Sequence, residues 1–362
     1  IIERKIGNKF RLFTRYFFWK LFKKSPRTFE VLYKNYLDFN LIILPSILKR
    51  INKFYLKKYI SIISDKSTVV FCSTLSSTEE FNFLRASIIK KKKNGICTRN
   101  WDNPSSKTFI YPKYFSFVMS WSNQMDNHYR LLFENHSLKI YRYLTPRFNY
   151  IKNKESGKNL ESSEEKIYLL YAGSQKMIKH EVKLLSYISK KIRFINKNIM
   201  IIYRPHPWTY LESNQLKDLI SDNINLTLDP SISSFMKEAN NHRVAPIFHQ
   251  SVSNSLSTIV DKSRIIISPA GTLSLEAGLL SKPVIVDLTN SKQSTLKLHI
   301  YMDHFNPYVM EDWVYPCFSF DQIIKSIFSI FGRKNNFEYK NCKQYADLEN
   351  SLDLSEILKS II

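Results

Sequence analysis

The sequence lacks two patterns that would indicate metal or disulfide chemistry. No Asp-x-Asp triad occurs anywhere in the 362 residues, so no carboxylate pair is spaced to hold Mg²⁺ or Mn²⁺. None of its few cysteines stands in a C-x-x-C spacing, which disfavours a zinc site or a disulfide framework and favours buried free thiols in a reducing compartment. We therefore expect no metal and no cofactor. The four cysteines are Cys72, Cys97, Cys317 and Cys342.

The chain also lacks a long apolar run. None approaches the ~20 residues that span a bilayer, and the candidate Leu41–Leu48 is interrupted by Pro45. No signal-peptide pattern opens the sequence, which begins with Ile1. We expect a cytoplasmic protein.

Acidic residues are scarce, with 31 Asp and Glu against 54 Lys and Arg, and the formal net charge is +23. Residues 1–60 hold 15 of the basic residues, mixed with aromatics, against 3 acidic ones. This leader could lie on an anionic membrane surface from the cytoplasmic side, since both residue types favour that interface. A general lysine bias with packed aromatics explains it equally well. No nucleic-acid motif accompanies the charge, so nucleic acid is not an expected partner.

Apolar β-branched runs alternate with helical segments in both halves of the chain, which predicts parallel sheets covered on both faces. In the first half, a strand at Thr68–Cys72, a helix at Glu79–Lys93 and a strand from Ile96 form a βαβ unit. The pair Asn94-Gly95 is predicted to be its turn. The polar segment Lys152–Glu165 is predicted to be a linker.

The second half repeats the alternation. We therefore predict an α/β protein with two Rossmann-like parallel-sheet domains facing a cleft, residues 1–150 and 166–330, followed by a helical tail over 331–362. The predicted strands are Ile167–Tyr171, Asn198–Tyr203, Arg264–Ser268 and Pro283–Leu288, and the predicted helices are Ile178–Lys191, Leu211–Leu219 and Leu273–Leu280.

The strongest motif runs from a buried strand through a small-residue turn into a helix, over Ile265–Gly278. Gly271, Thr272 and Ser274 leave backbone N–H groups and hydroxyls at a helix N-terminus, which is a ready anion site. Glu276, one turn further, could accept hydrogen bonds from two ribose hydroxyls. The alternative is an ordinary strand–helix turn with a capped helix, in which Glu276 pairs with a lysine such as Lys282.

Other turns carry polar groups to the same predicted sheet edge. Arg204 and His206 stand in the rigid turn Arg-Pro-His-Pro, where arginine could grip a phosphate and histidine could bind one or shuttle a proton. Replacing Arg204 by alanine should then abolish anion binding and leave the fold intact. Gly173 and Ser174 form the first strand-to-helix turn of the second half, and a plain turn is nearly as good an interpretation.

In the first half, the loop Trp101-Asp102-Asn103 offers an aromatic face beside hydrogen-bonding side chains. Asp102 could act as a general base on an acceptor hydroxyl, and Trp101 could stack on a sugar. The alternative is a capped turn with a packing tryptophan.

In their order along roughly residues 68–330, these motifs resemble bacterial surface-carbohydrate glycosyltransferases of the GT-B superfamily, of capsule or lipopolysaccharide type. The resemblance rests mainly on Trp-Asp-Asn and Arg-Pro-His-Pro, and also on Thr145–Phe148 and Lys282-Pro283-Val284. The first strand and glycine-rich turn that such an N-terminal domain should have are not visible, as if the domain were truncated.

The resemblance implies metal-independent transfer of a sugar from a nucleotide-sugar co-substrate to a polysaccharide or lipid-linked glycan acceptor. Asp102 and His206 would be catalytic, and the Trp101–Asn103 loop would serve the acceptor side. Three alternatives remain open: a CDP-glycerol or polyol-phosphate transferase of capsule or teichoic-acid type, a sugar-nucleotide 2-epimerase, and a non-catalytic basic scaffold. The donor contacts implied are Gly173, Ser174, Arg204, His206, Gly271, Thr272, Ser274 and Glu276.

Overall fold

The computed structural model describes about three fifths of the chain, all of it from residue 56 onwards. The basic leader up to residue 55, most of the predicted linker, and the loop residues Asp102 and Asn103 lie outside the described residues, so the predictions made for them stay predictions. The described residues are 56, 58–66, 69–72, 78–98, 100–101, 115–132, 138–152, 166–174, 178–194, 196–206, 218–230, 232, 250–290, 304–332 and 342–362.

The chain divides into two compact units. The first takes residues up to Thr145, together with Tyr301–His304 and Asp347–Ile362, and the second takes Pro146–Ile300 and Phe305–Ala346. The predicted tail, 331–362, is thus shared: its residues up to Ala346 belong to the second unit and the remainder to the first.

The described part of the first unit contains a four-stranded parallel sheet in the order β1-β2-β3-β4. Its strands are β1 Val69–Cys72, β2 Lys93–Cys97, β3 Phe117–Ser120 and β4 Lys139–Arg142, and two of its helices are α1 Thr78–Ile89 and α2 Asn123–Leu132. The predicted βαβ unit is present here.

The turn between α1 and β2 lies earlier than predicted. Lys91 adopts a left-handed conformation (φ 51°) and makes the turn, whereas Asn94 and Gly95 lie inside β2. Gly95 is needed there because a Cβ atom would come within 2.5 Å of the Phe117 ring on the neighbouring strand. Close strand packing, rather than chain reversal, accounts for this glycine.

The described part of the second unit contains a six-stranded, fully parallel sheet in the order β10-β9-β8-β5-β6-β7. Its core is aliphatic and tightly closed: Ile265, Ile266, Leu169 and Leu170 are each 0% exposed. The strands are β5 Ile167–Ala172, β6 Ile199–Arg204, β7 Leu226–Leu228, β8 Ser263–Ser268, β9 Val284–Asp287 and β10 Val314–Cys317.

Helices cover this sheet, and a last helix belongs to the first unit. In the described part of the second unit they include α3 Asn149–Lys152, α4 Ile178–Arg193, α5 Gln250–Lys262, α6 Thr272–Leu279 and α7 Phe320–Gly332. The last, α8 Leu354–Ile361, begins with a capping box formed by Asp353 and Glu356. The protein is therefore an α/β protein with two parallel sheets, as predicted.

Gly278 in α6 gives a test of the core packing. A Cβ atom at this position would lie 2.5 Å from Cζ3 of Trp313 and 2.9 Å from Sγ of Cys342. We expect Gly278→Ala to lower the free energy of unfolding by about 1–3 kcal/mol through overpacking. Gly332→Ala is the matched control, since nothing lies within 4 Å of its added methyl group. Equal denaturation midpoints for the two variants would contradict the packing described here.

Candidate functional site

The strand order of the second unit reverses between β5 and β8. From β5 the chain moves outward through β6 and β7, then returns to the other side of β5 and continues through β8, β9 and β10. This is the doubly wound order 3-2-1-4-5-6, in which ligands bind outside the carboxyl ends of the two central strands. The Gly173-Ser174 turn follows β5, and the turn Pro269–Gly271 follows β8.

A small cleft lies at this switch point. It brings together residues from the ends of three neighbouring strands and from the first turn of α4. Two turns singled out in the sequence meet there, since Ser174 and Pro269 both line it. The lining residues are Tyr171, Ser174, His180, Glu181, Pro269, Asp287 and Asn290.

The N-terminus of α6 follows directly after β8. Its N-cap residue, Gly271, is fully extended (φ −177°, ψ 179°), and no side chain caps the helix. A Cβ atom on Gly271 would meet only the carbonyl oxygen of Pro269, at 3.8 Å, so the space beside the turn is open. An uncapped helix N-terminus presents backbone N–H groups and a partial positive charge, which suits an anionic ligand.

Ser274 lies in the first turn of α6 and is buried. Its hydroxyl lies 2.8 Å from that of Ser268 and 3.3 Å from the carbonyl oxygen of Pro269. These bonds hold the end of β8 to the start of α6. A donor contact through Ser274 stays a prediction, and the bonds seen here give its hydroxyl a role in shaping the turn.

A buried carboxylate stands behind the Gly173-Ser174 turn. Glu181, in the first turn of α4, accepts hydrogen bonds from the Ser174 backbone N–H (2.6 Å) and the Tyr203 hydroxyl (2.6 Å). Burial raises the pKa of Glu181 to about 7, partly offset by these two hydrogen bonds. The sequence analysis missed Glu181 because acidic residues are common in the first turn of a helix, so its presence there did not indicate a special role.

A second carboxylate, Asp287, ends β9 beside the cleft. It accepts hydrogen bonds from the Tyr171 hydroxyl (2.8 Å) and from the backbone N–H and hydroxyl of Thr289 (2.9 and 2.7 Å). His180 lies 2.7 Å from the same threonine hydroxyl, and burial lowers its pKa. An acidic residue closing the apolar run Val284–Asp287 was the sequence signal that could have identified this position.

Arg204 ends β6, where it was predicted to grip a phosphate. Its guanidinium forms a buried ion pair with Asp229, which follows β7, and the two side chains are 7% and 0% exposed. The backbone carbonyl of Arg204 accepts from the N–H of Gly173 at 2.8 Å, which joins two of the predicted turns. His206 is partly buried, and burial lowers its pKa. The positive charge of Arg204 is thus already balanced within the protein.

Glu276 is 1% exposed, and both of its carboxylate oxygens have partners. Arg147 forms an ion pair with Oε1, and the Tyr150 hydroxyl donates to Oε2 at 3.2 Å. The partner is therefore Arg147 and not Lys282, whose ammonium donates to the carbonyl of Asp261. The Arg147 side chain is 41% exposed, whereas that of Glu276 is 1% exposed. A ribose contact at Glu276 stays a prediction that requires Arg147 to give way.

In the first unit, Trp101 is 2% exposed. Its indole N–H donates to Gln124 at 3.1 Å, and its ring lies edge-on to His304 with the centroids 5.5 Å apart. Gln124 in turn donates to the His304 carbonyl at 3.0 Å. This environment favours the packing interpretation of Trp101. Its stacking role stays a prediction, with Asp102 and Asn103 beside it outside the described residues.

Among the described residues, no cluster of three or more His, Cys, Asp or Glu side chains is placed to bind a metal ion. No helix in that part of the chain is long and apolar enough to cross a membrane.

Solved structures share the fold at low sequence identity. UDP-GlcNAc 2-epimerase from Neisseria meningitidis, bound to UDP-GlcNAc, is 16% identical with a TM-score of 0.51, over 87% of this chain and 81% of that one. The UDP-GlcNAc 2-epimerase of Methanocaldococcus jannaschii is 14% identical (TM-score 0.50; 85% and 82% covered). The S. aureus MnaA–UDP structure is 10% identical (TM-score 0.50; 83% and 75%). These likenesses show the fold, which is of the GT-B type.

Sequence comparison does not assign the chain to a family. No protein-family model matches the chain. A search of curated proteins gives no significant match either.

The Arg204–Asp229 pair revises the expectation that loss of Arg204 leaves the fold intact. Removing Arg204 takes the charged partner away from the buried Asp229 carboxylate, so we expect Arg204→Met to lower the free energy of unfolding by about 3–5 kcal/mol. The double variant Arg204→Met/Asp229→Leu should recover most of that loss, because both charges leave together. Denaturant unfolding of the three proteins measures this. A single variant as stable as the unmodified protein would show that the pair contributes nothing.

Proposed function

We propose that the protein is an enzyme that binds a nucleotide-diphosphate sugar at the switch point of its second unit and transfers the sugar to a glycan or lipid-linked glycan acceptor. One observation carries the proposal: the uncapped, open N-terminus of α6 lies at the carboxyl edge of the sheet, beside the turn that follows β5. The same edge binds nucleotides in other doubly wound folds.

The charge of the donor fits this position. A diphosphate at Gly271 and Thr272 would be met by backbone N–H groups and the positive end of the helix dipole. The same groups would stabilise the negative charge that develops on the leaving nucleotide diphosphate. The helix N-terminus has to supply much of this stabilisation, because the Arg204 charge is balanced by Asp229. His206 remains a proposed catalytic residue that could shuttle a proton, and Asp102 the proposed base on the acceptor.

A 2-epimerase is the second candidate. Two of the structures that share the fold are named as UDP-GlcNAc 2-epimerases, one of them bound to UDP-GlcNAc, and a third holds UDP. Both candidates use the same nucleotide site in the second unit, so that site does not separate them. The reactions differ in stoichiometry: an epimerase converts its nucleotide sugar alone, whereas a transferase releases nucleotide diphosphate only when an acceptor is present. A polyol-phosphate transferase would prefer a CDP-linked donor.

The test is a donor screen with the full chain. Calorimetry with UDP, GDP, CMP and CDP identifies the base, and mass spectrometry follows the matching donors with and without a membrane glycolipid extract. We expect acceptor-dependent release of nucleotide diphosphate that excess EDTA does not abolish. Conversion of the donor without acceptor would favour the epimerase. Loss of activity in EDTA, restored by a divalent ion, would contradict the metal-independent reaction. If none of the nucleotides binds, the non-catalytic basic scaffold becomes the favoured interpretation.

The ribose role of Glu276 gives a second prediction. If Arg147 moves aside and the carboxylate accepts from the ribose hydroxyls, Glu276→Gln should weaken ribonucleotide binding roughly 10- to 100-fold, as expected for charge-assisted hydrogen bonds. The unmodified protein should prefer the ribonucleotide over its 2′-deoxy analogue, and the variant should lose that preference. If both proteins discriminate equally, Glu276 serves only to hold Arg147 and Tyr150.

A further inference from the structure

Glu181 accepts hydrogen bonds from a turn and from a strand that are far apart in sequence. The backbone N–H of Ser174, in the turn after β5, donates to Oε1. The hydroxyl of Tyr203, the penultimate residue of β6, donates to Oε2. Tyr203 immediately precedes Arg204 and the Arg-Pro-His-Pro turn. One carboxylate therefore links the Gly173-Ser174 turn to the end of β6, just before the Arg-Pro-His-Pro turn.

The backbone at Gly173 is shaped to admit this carboxylate. A Cβ atom on Gly173 would lie 2.9 Å from the carboxyl carbon of Glu181 and closer still to one of its oxygens. The Gly173 N–H also donates to the Arg204 carbonyl at 2.8 Å. The glycine thus lets the Glu181 side chain close against the turn while the backbone continues the pairing of β5 with β6.

We propose that Glu181 is a positioning residue that holds the Gly173-Ser174 turn to the end of β6. Its consequence for binding rests on the proposed function: the turns that carry Ser174, Arg204 and His206 keep their spacing before a nucleotide arrives. Such pre-organisation reduces the ordering cost of binding. The Ser174 N–H is directed at Glu181, so Ser174 would meet a ligand through its hydroxyl.

The ionisation of Glu181 supplies a readout that a space-filling side chain would not. Its surroundings include Tyr203 from β6, Tyr171 from β5, Asp287 from β9 and His180 beside it on α4. The folded-state pKa of about 7 lies above the value of about 4.3 for an unfolded glutamate. The folded protein therefore binds the proton more tightly, and this contribution to stability is lost as the pH rises from about 4.3 through about 7.

The experiment compares Glu181→Ala and Glu181→Gln with the unmodified protein. Hydrogen exchange reports the protection of the Ser174 amide, calorimetry gives the affinity for UDP-GlcNAc or the donor found in the screen, and denaturant unfolding is measured from pH 5 to pH 8. Glu311→Ala is the matched control. Glu311 also accepts from a tyrosine hydroxyl (Tyr345, 2.6 Å), but it does not line the cleft.

We expect Glu181→Ala to expose the Ser174 amide to exchange and to weaken nucleotide binding roughly 10- to 100-fold, as for other charge-assisted hydrogen bonds. Glu181→Gln should keep much of the amide protection, because its amide oxygen can still accept. The stability of the unmodified protein relative to Glu181→Gln should fall as the pH rises towards 8. Glu311→Ala should leave Ser174 protected.

Unchanged protection of Ser174 in Glu181→Ala would overturn the proposal, and so would a stability difference from Glu181→Gln that does not vary with pH. Absence of nucleotide binding by the unmodified protein would instead contradict the proposed function. Exchange at Ser174 would still decide the role of Glu181 in that case, because it requires no ligand.

Discussion

A parallel sheet carries the carboxyl ends of all its strands on one edge, and the rest of the second unit depends on this constraint. Each strand must be followed by a turn at that edge before the chain crosses back, so the polar turn residues collect there. Because the strand order reverses between β5 and β8, the connections leave these two strands in opposite directions. That reversal leaves an opening between the turns after β5 and β8, and the small cleft lies there.

The edge tolerates buried charge because each charged group has a specific partner. Arg204 is balanced by Asp229, and Glu276 by Arg147, while Asp287 and Glu181 accept from Tyr171 and Tyr203. A buried charge without such a partner costs several kcal/mol. These pairs therefore fix the turns rigidly, and they also decide which charges remain available to a ligand. At the N-terminus of α6, no side-chain cap offsets the positive potential of the helix.

The alternation of apolar strands and helices along the sequence predicted the architecture. The site was harder to predict, because its side chains pair with residues that are distant in sequence. The strand ending at Ser268 and the helix that follows were recognisable because a doubly covered strand is a continuous apolar run. The prediction of a turn at Asn94-Gly95 was wrong. In sequence, a glycine required by close packing against Phe117 cannot be distinguished from a glycine required by a turn. Arg204 was correctly placed at the sheet edge, but its partner Asp229 lies 25 residues further on, where no spacing rule connects them.

The distribution of charge around the cleft favours one orientation of the proposed nucleotide-sugar donor. Asp287, and Glu181 above its pKa of about 7, would repel a diphosphate that approached them, and ligand hydroxyl groups can donate to carboxylate oxygens. The N-terminus of α6 has the opposite preference, since its N–H groups suit phosphate oxygens. A nucleotide sugar bound here is therefore favoured with its diphosphate towards Gly271 and its hydroxyl-bearing parts towards the acidic side. This preference arises from the backbone and from buried partners, so it exists before the ligand binds.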